Sequence, residues 1–163
     1  MAPSKRPSRR RFLTAVGAGA AALLGGCAAT SDAPGYERRE VSVPDGEPRS
    51  APEMAAAAAL AQQEANQSAS PLDSLSLADH EFVLEDGYNG STVQGTVENA
   101  GDSTVDYVEV RVRVYGADGA QLGRYLATIG DLPTGARWQF EVILLVSPGD
   151  IAEYDIAVLG IPK

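Results

Sequence analysis

From Val108 to Val114 a valine occupies every second position, with Glu109, Arg111 and Arg113 between them. Alternation with period two belongs to a strand that has one buried and one wet face, because successive side chains of a strand point to opposite sides. The same alternation recurs on both sides of it. Phe82 and Leu84 alternate with Val83 and Glu85; Val93, Gly95 and Val97 alternate with Thr92, Gln94, Thr96 and Glu98; Trp138, Phe140, Val142 and Leu144 stand against Gln139 and Glu141. Runs at 125–129 and 151–159, the second with Tyr154, Ile156 and Val158 on one side, complete the set, and no part of this stretch has a helical period.

Turn chemistry falls between the runs. Asn89-Gly90 and Asp118-Gly119 supply residues tolerant of positive φ, as tight hairpins require, and Pro148-Gly149 suits the central positions of a type II turn. Residues 99–103 and 133–135 mark two further loops. The fold class that follows is all-β: an immunoglobulin-like antiparallel sandwich of six or seven strands over residues 79–163. A small closed barrel carries the same strand signals and is the structural alternative.

The two stretches before it differ sharply in composition. Ser8-Arg9-Arg10-Arg11-Phe12-Leu13 matches a twin-arginine export signal, in which Arg9 and Arg10 are followed at the right offset by Phe12 and Leu13. The Ala- and Gly-rich segment after it, residues 13–26, is shorter than the roughly 20 apolar residues of a spanning helix, so it reads as the apolar core of a signal peptide. Leu24-Gly25-Gly26-Cys27 resembles a lipobox, whose small residues admit a peptidase and whose cysteine thiol takes the lipid. Cys27 is the sole cysteine of the 163 residues, which excludes an intramolecular disulfide and places the thiol at the end of residues 1–27. Two buried lipid chains, at about 0.8 kcal/mol per methylene, hold a protein durably where one does not. The expected location is the outer face of the cytoplasmic membrane, after export, with the membrane as partner through the lipid on Cys27.

Residues 28–78 are rich in Ala, Ser, Pro, Glu and Gln and poor in large apolar side chains, too little hydrophobic surface to offset the entropy of ordering. They read as a disordered linker. Pro52-Glu53-Met54, five alanines and Leu60 form a short helix pattern within it, transient or solvent-exposed because its apolar face is mostly methyl groups. As a flexible coil the linker has a root-mean-square span of about 36 to 43 Å.

Charge narrows the partners. Residues 1–27 carry five basic side chains and no acid, so the other 136 residues hold 8 basic and 22 acidic groups, a net charge of -14. Such a surface repels nucleic acid and anionic lipid, whose binding needs clustered Lys and Arg.

Phe82-Val83-Leu84-Glu85-Asp86, then Val93 to Asn99, the valine strand ending in Tyr115-Gly116-Ala117-Asp118-Gly119, and Leu132-Pro133-Thr134-Gly135 before Trp138-Gln139-Phe140 together resemble the FxLyD domain. That family is a small immunoglobulin-like β module of exported prokaryotic proteins, frequently lipoproteins, with a largely undefined activity. Phe82, Leu84 and Asp86 match its naming motif, and Glu85 departs from it at the fourth position. The resemblance covers about 80 of the 163 residues. The acidic, lysine-poor composition behind an Arg-rich export signal resembles that of salt-loving archaea.

Catalytic arrangements lack their residues. Past Cys27 the chain has one histidine, His80, and one lysine, Lys163, so Ser-His-Asp, Cys-His, metal-His and Schiff-base lysine chemistries have no set of groups to work with. The chain reads as a non-enzyme without cofactor, and His80, at the start of the first strand, as a surface residue. Asp86, Asn89, Asn99, Asp102, Asp118, Asp131 and Asp150 all fall in loops where calcium ligands would gather, but their spacing fits no calcium loop and they read as turn formers, with no metal assigned. Asn66-Gln67-Ser68 and Asn89-Gly90-Ser91 are acceptor triplets for N-linked glycan. The expected role is a non-catalytic binding or scaffolding module on the envelope, pairing with another envelope protein through a sheet edge or through Tyr107, Tyr115 and Tyr125. The alternative is a solute- or cation-binding lipoprotein.

Overall fold

The computed structural model describes residues 33–42 and 46–163. Seven strands and one helix follow each other as β1 (Glu37–Glu40), α1 (Ala51–Leu60), β2 (Leu75–Leu84), β3 (Ser91–Asn99), β4 (Val105–Tyr115), β5 (Gln121–Leu132), β6 (Arg137–Ile143) and β7 (Glu153–Pro162). All pairings are antiparallel, and they make a four-stranded sheet, β1-β7-β4-β5, and a three-stranded sheet, β2-β3-β6. The two sheets pack face to face as an all-β sandwich with the four-and-three division of a constant-type immunoglobulin domain.

The valine stripe fills the centre. Val108, Val110, Val112 and Val114 of β4 are fully buried and meet Val93 and Val97 of β3, Phe140 and Val142 of β6 and Ile156 of β7. Branched side chains suit this position because they are already stiff at χ1 and pack closely on a pleated surface. Gly95 lies on the same inner face, opposite His80 on one side and Phe140 on the other. A Cβ at Gly95 would run into the Asp79 carbonyl and come within 2.8 Å of the Phe140 ring and 2.9 Å of His80 Cα.

Two bulges change the phase of the alternation. The pairing of β2 with β3 skips Ala78, so Leu75 and Leu77 point inward before it and His80 and Phe82 after it. The pairing of β4 with β7 skips Asp106 in the same way, which puts both Val105 and Val108 in the core. One extra residue per bulge swaps the faces of everything beyond it.

The loops differ from the sequence expectation in detail. Asn89-Gly90 closes a six-residue loop, 85–90, in which Gly87 and Gly90 both take positive φ and the Glu85 N–H donates to the Gly90 carbonyl at 2.8 Å. Asp118-Gly119 makes a type I turn followed by a left-handed glycine, with Gly119 at φ +78 and a register shift beside Tyr115. Pro148-Gly149 is not a type II turn. It opens a single 3-10 turn, Pro148–Asp150, and Gly149 does not take the positive φ that a type II turn needs.

The segment before residue 79 is where structure and expectation part. Instead of a linker along its whole length, it wraps the sandwich as a strap. β1 adds a short edge strand to β7. Arg49 then reaches into the loop end of the sandwich, where Nε donates to Tyr88 O at 2.8 Å, Nη1 to Leu144 O at 2.7 Å, and Nη2 to the carbonyls of Asn89 and Ser91. Burial holds this guanidinium below its ordinary pKa. Helix α1 starts where Ser50 donates its N–H and its hydroxyl to Glu53 Oε2, at 2.8 and 2.6 Å, and it is exposed along most of its length with Ala57 alone buried. Further on, the Asn66 N–H donates to Glu109 Oε2 at 2.9 Å, and Ser70 pairs with Gly160 as an isolated bridge. β2 itself begins at Leu75 and not at residue 79.

Composition misjudged this segment because only a few of its anchors, Val41, Leu72, Leu75 and Leu77 packed against the core, are apolar side chains. The rest are backbone groups and charges that find partners on the sandwich, and the two kinds of anchor together offset the ordering entropy.

Two outcomes follow. A chain starting at residue 79 lacks β1, Arg49 and the inward Leu75 and Leu77, so its thermal midpoint is expected far below that of a chain starting at residue 33; equal midpoints would show that the strap contributes nothing. Gly95→Ala is expected to cost about 1–3 kcal/mol in urea unfolding, the usual range for an overpacked core, because the added methyl meets backbone as well as a side chain.

Candidate functional site

The outer face of the four-stranded sheet carries the residues that alternate with the valines: Tyr107, Glu109, Arg111, Arg113 and Tyr115. The sequence places them in water. Yet Glu109 is 0% exposed, and Asp155, which faces Arg113 across the β4–β7 ladder, is 2% exposed. The strap roofs both. Glu109 accepts from the Asn66 N–H, from the Tyr107 hydroxyl at 2.9 Å and from Arg111, whose guanidinium also donates to Asn66 O at 2.9 Å. Burial, with the Glu109 carboxylate beside it, pushes the Tyr107 phenol up to about 12.

Asp155 takes a bidentate pair from Arg113, at 2.8 and 2.6 Å, and a third bond from Tyr115 Oη at 3.0 Å. The hydrogen bonds to Asp155 raise the Arg113 pKa against the opposing effect of burial. Tyr36 stacks on the other face of this guanidinium, 3.5 Å from ring centroid to Cζ, and Arg38 lies 4.6 Å over the Tyr115 ring. Planar guanidinium groups allow this double use, carboxylate in the plane and aromatic ring above it.

These contacts correct the expectation for the tyrosines. Tyr115 is buried on Asp155, Tyr107 is tied to Glu109, and Tyr125 packs against the core from β5. Tyr115 is thus removed from solvent, while Tyr107 and Tyr125 are half-buried. Among the described residues the large apolar side chains that do stand in solvent are Leu60, Leu84, Tyr88 and Leu122.

His80 is the second correction. It is not a surface residue: its side chain is 2% exposed, in the seam where β2 of one sheet meets β7 of the other and β1 covers the opening. It shares the inward phase of Phe82, which the alternation itself predicts once the strand is extended back past residue 82. Arg39 Nε donates to His80 Nε2 at 3.3 Å, which leaves the ring proton on Nδ1 to donate to Tyr154 Oη at 2.7 Å. Glu37 Oε2 lies 3.4 Å from Nε2. Arg39, Ser42, His80, Phe82 and Tyr154 line a cleft of about 210 Å³ at this seam. Burial, and then the nearby Arg39 charge, depress the His80 pKa against the opposing pull of Glu37.

Among the described residues none of the strap is bonded across the centre of the outer face of the three-stranded sheet. That face forms a shallow groove of about 500 Å³ lined by Asp79, Glu81, Gln94, Thr96 and Gln139. Gln94 Nε2 donates to Glu85 Oε1 at 2.7 Å and to Glu141 Oε2 at 3.3 Å, bridging two carboxylates. Burial and the neighbouring Glu85 charge raise the Glu141 pKa.

Of the seven loop candidates, Asn99 ends β3 and Asp131 lies within β5, and the side chains of Asn99 and Asp118 brace turns. Asn99 donates to Ser103 O and Leu132 O and accepts from the Gly101 N–H, while Asp118 accepts from the Ala120 N–H. Among the described residues no group of three or more His, Cys, Asp or Glu side chains is arranged to hold a metal ion. Asn66 stands on a strap turn and Asn89 in the 85–90 loop. The export residues Arg9, Arg10, Phe12 and Leu13, the lipobox Leu24, Gly25 and Gly26, and Cys27 lie outside the described residues.

Comparison with known proteins finds a relative in Methanocaldococcus jannaschii, an uncharacterized protein, at 30% identity over 84 residues. The match covers 50% of this chain and 62% of that relative's length. No family model matches. No solved structure matches either.

A group whose folded pKa is depressed below its unfolded value, here a histidine, contributes stability that is complete above the ordinary imidazole range near 6.5 and is lost as pH falls through that range. The thermal midpoint is therefore expected to drop between pH 7.5 and 5 in the natural chain and to drop less in His80→Gln. Parallel curves for the two would show that His80 protonates freely.

Proposed function

We propose that the chain is a membrane-anchored envelope lipoprotein that displays a small, non-catalytic β-sandwich for binding or scaffolding. The observation that carries the reading is the order of Arg9-Arg10, a short apolar segment and Leu24-Gly25-Gly26-Cys27, with the single cysteine of the chain at the junction. The FxLyD likeness supports it: Phe82 packs against the core, Leu84 and Asp86 line a cleft beside Gly46 and Arg49 of the strap, and the motif thus lies where strap and sandwich meet. The relative in an archaeon accords with a prokaryotic source, as the FxLyD likeness implies.

In this reading the display distance is shorter than a 51-residue linker would give. Tyr36 is already stacked on Arg113, so eight residues separate Cys27 from the first anchored side chain. A chain of that length reaches at most about 30 Å when fully extended. The domain therefore works close to the headgroup layer. Its free partner surface is the groove face of the three-stranded sheet, since the strap occupies the opposite face.

Replacing Cys27 with Ser tests the anchor. The natural chain is expected in the membrane fraction and Cys27→Ser in the soluble exported fraction. Membrane retention of the variant defeats the assignment.

A further inference from the structure

We propose that Asn66, and not Asn89, accepts an N-linked glycan on the exported protein. The proposal deepens the envelope reading and rests on it. Both asparagines stand in Asn-x-Ser triplets, so the sequence alone treats them alike. In the transfer, the side-chain nitrogen of asparagine bonds to the anomeric carbon of a lipid-linked sugar. The bond from that carbon to the carrier phosphate breaks, the carrier leaves as its phosphate, and the proton from the amide goes to a base on the transferring enzyme. The acceptor must offer Nδ2, with the serine two residues on, to a large catalyst.

Asn66 meets those conditions. It opens a surface turn in which the Ser68 N–H donates to Asn66 Oδ1 at 2.9 Å and the Ala69 N–H to Asn66 O at 3.3 Å. The oxygen of the side-chain amide is thus engaged by its own backbone, while Nδ2 donates to nothing among the described residues. Gln67 and Ser68 are exposed. What holds Asn66 to the sandwich is main chain, N–H to Glu109 and carbonyl from Arg111, so a sugar on the side chain breaks none of it.

Asn89 fails each condition. Its Nδ2 donates to Glu85 Oε2 at 2.5 Å, and its carbonyl is clamped by Arg49. Ser91, the third residue of the triplet, is 0% exposed and is the first residue of β3, paired with Leu84. Modification there requires the loop to open and β3 to lose its end, a local unfolding event. A twin-arginine route carries proteins that are often already folded, so the transferring enzyme meets the closed loop.

The test has two arms on the full-length chain. Exported protein from an N-glycosylating prokaryotic host is digested, and glycopeptide mass spectrometry reads Asn66, Asn89 and the state of Cys27 in one sample. Sugar is expected on Asn66 and absent from Asn89. It is lost in Ser68→Ala, which keeps the Ser68 N–H that closes the turn. In the second arm, the purified chain is treated with an oligosaccharyltransferase and a lipid-linked oligosaccharide, before and after unfolding in urea and dilution, using an enzyme that modifies both triplets in the unfolded chain. Folded protein is expected to be modified at Asn66 alone. Equal modification of Asn89 in folded protein, or an unmodified Asn66 there, overturns the proposal. This second arm does not depend on export, so an uncleaved, unlipidated N-terminus in the first arm counts against the envelope reading and not against the choice between the two asparagines.

Discussion

A carboxylate shut away from water must find its partners inside the fold, and a two-layer sandwich offers none on the outside of its sheets. Glu109 and Asp155 lie on such an outside face and are nevertheless buried. Arg111 and Arg113 supply the counter-charges from the same strand, but a pair on an open sheet would remain in water and contribute little. The strap changes the environment of both pairs. Asn66 closes over Glu109 with a backbone N–H, and Tyr36 closes over Arg113 with an aromatic face. Strap and charges depend on each other: the charges anchor a segment with few apolar residues, and the segment helps to shut the two carboxylates away from water. Removing one partner of a buried pair costs about 3–5 kcal/mol, because the other is left without compensation.

The sequence was legible wherever apolar side chains carry the fold. The valine stripe of β4, the β3 and β6 alternations and the sandwich they imply are what hydrophobic periodicity detects, since burial of one face is the cause of both pattern and structure. It fails where that cause is absent or interrupted. β1, Glu37-Arg38-Arg39-Glu40, has no apolar side chain at all; ladder hydrogen bonds and the Arg38–Glu153 and Arg38–Asp155 ion pairs hold it. The start of β2 was hidden by the bulge at Ala78, which shifts Leu75 and Leu77 out of phase with Phe82. Arg49 looks like one more charge in a polar stretch, and nothing local announces that four carbonyls wait for it on loops 40 and 95 residues away.

The export and lipid signals read from residues 1–27 lie outside the described residues, and the fold does not bear on them. Export and lipid signals are addresses read by other proteins in extended chain, so residue identity and order carry the information and folding adds nothing to it. Side chains that work through the fold gave no such signal. Glu109 and Asp155 resemble ordinary solvent-facing acids until the strap is in place, and Tyr107 and Tyr115 resemble contact residues until their hydroxyls are seen to be committed to those acids. His80 was available to the alternation rule. Its phase matches Phe82, and only the habit of reading a lone histidine as a surface residue placed it outside.

The strap also decides which surface is left. It covers the outside of the four-stranded sheet, its first strand closes the seam over His80, and Arg49 fastens the loop end. The outside of the three-stranded sheet keeps its groove, with Glu85 and Glu141 held close together through the amide of Gln94. Burial first, and then the repulsion of these like charges, which one amide nitrogen compensates less fully than a cation would, make Glu141 bind its proton more tightly than an isolated carboxylate. A partner bringing an ammonium or guanidinium group to this face would gain from that repulsion, while an acidic partner or an anionic headgroup would be turned away.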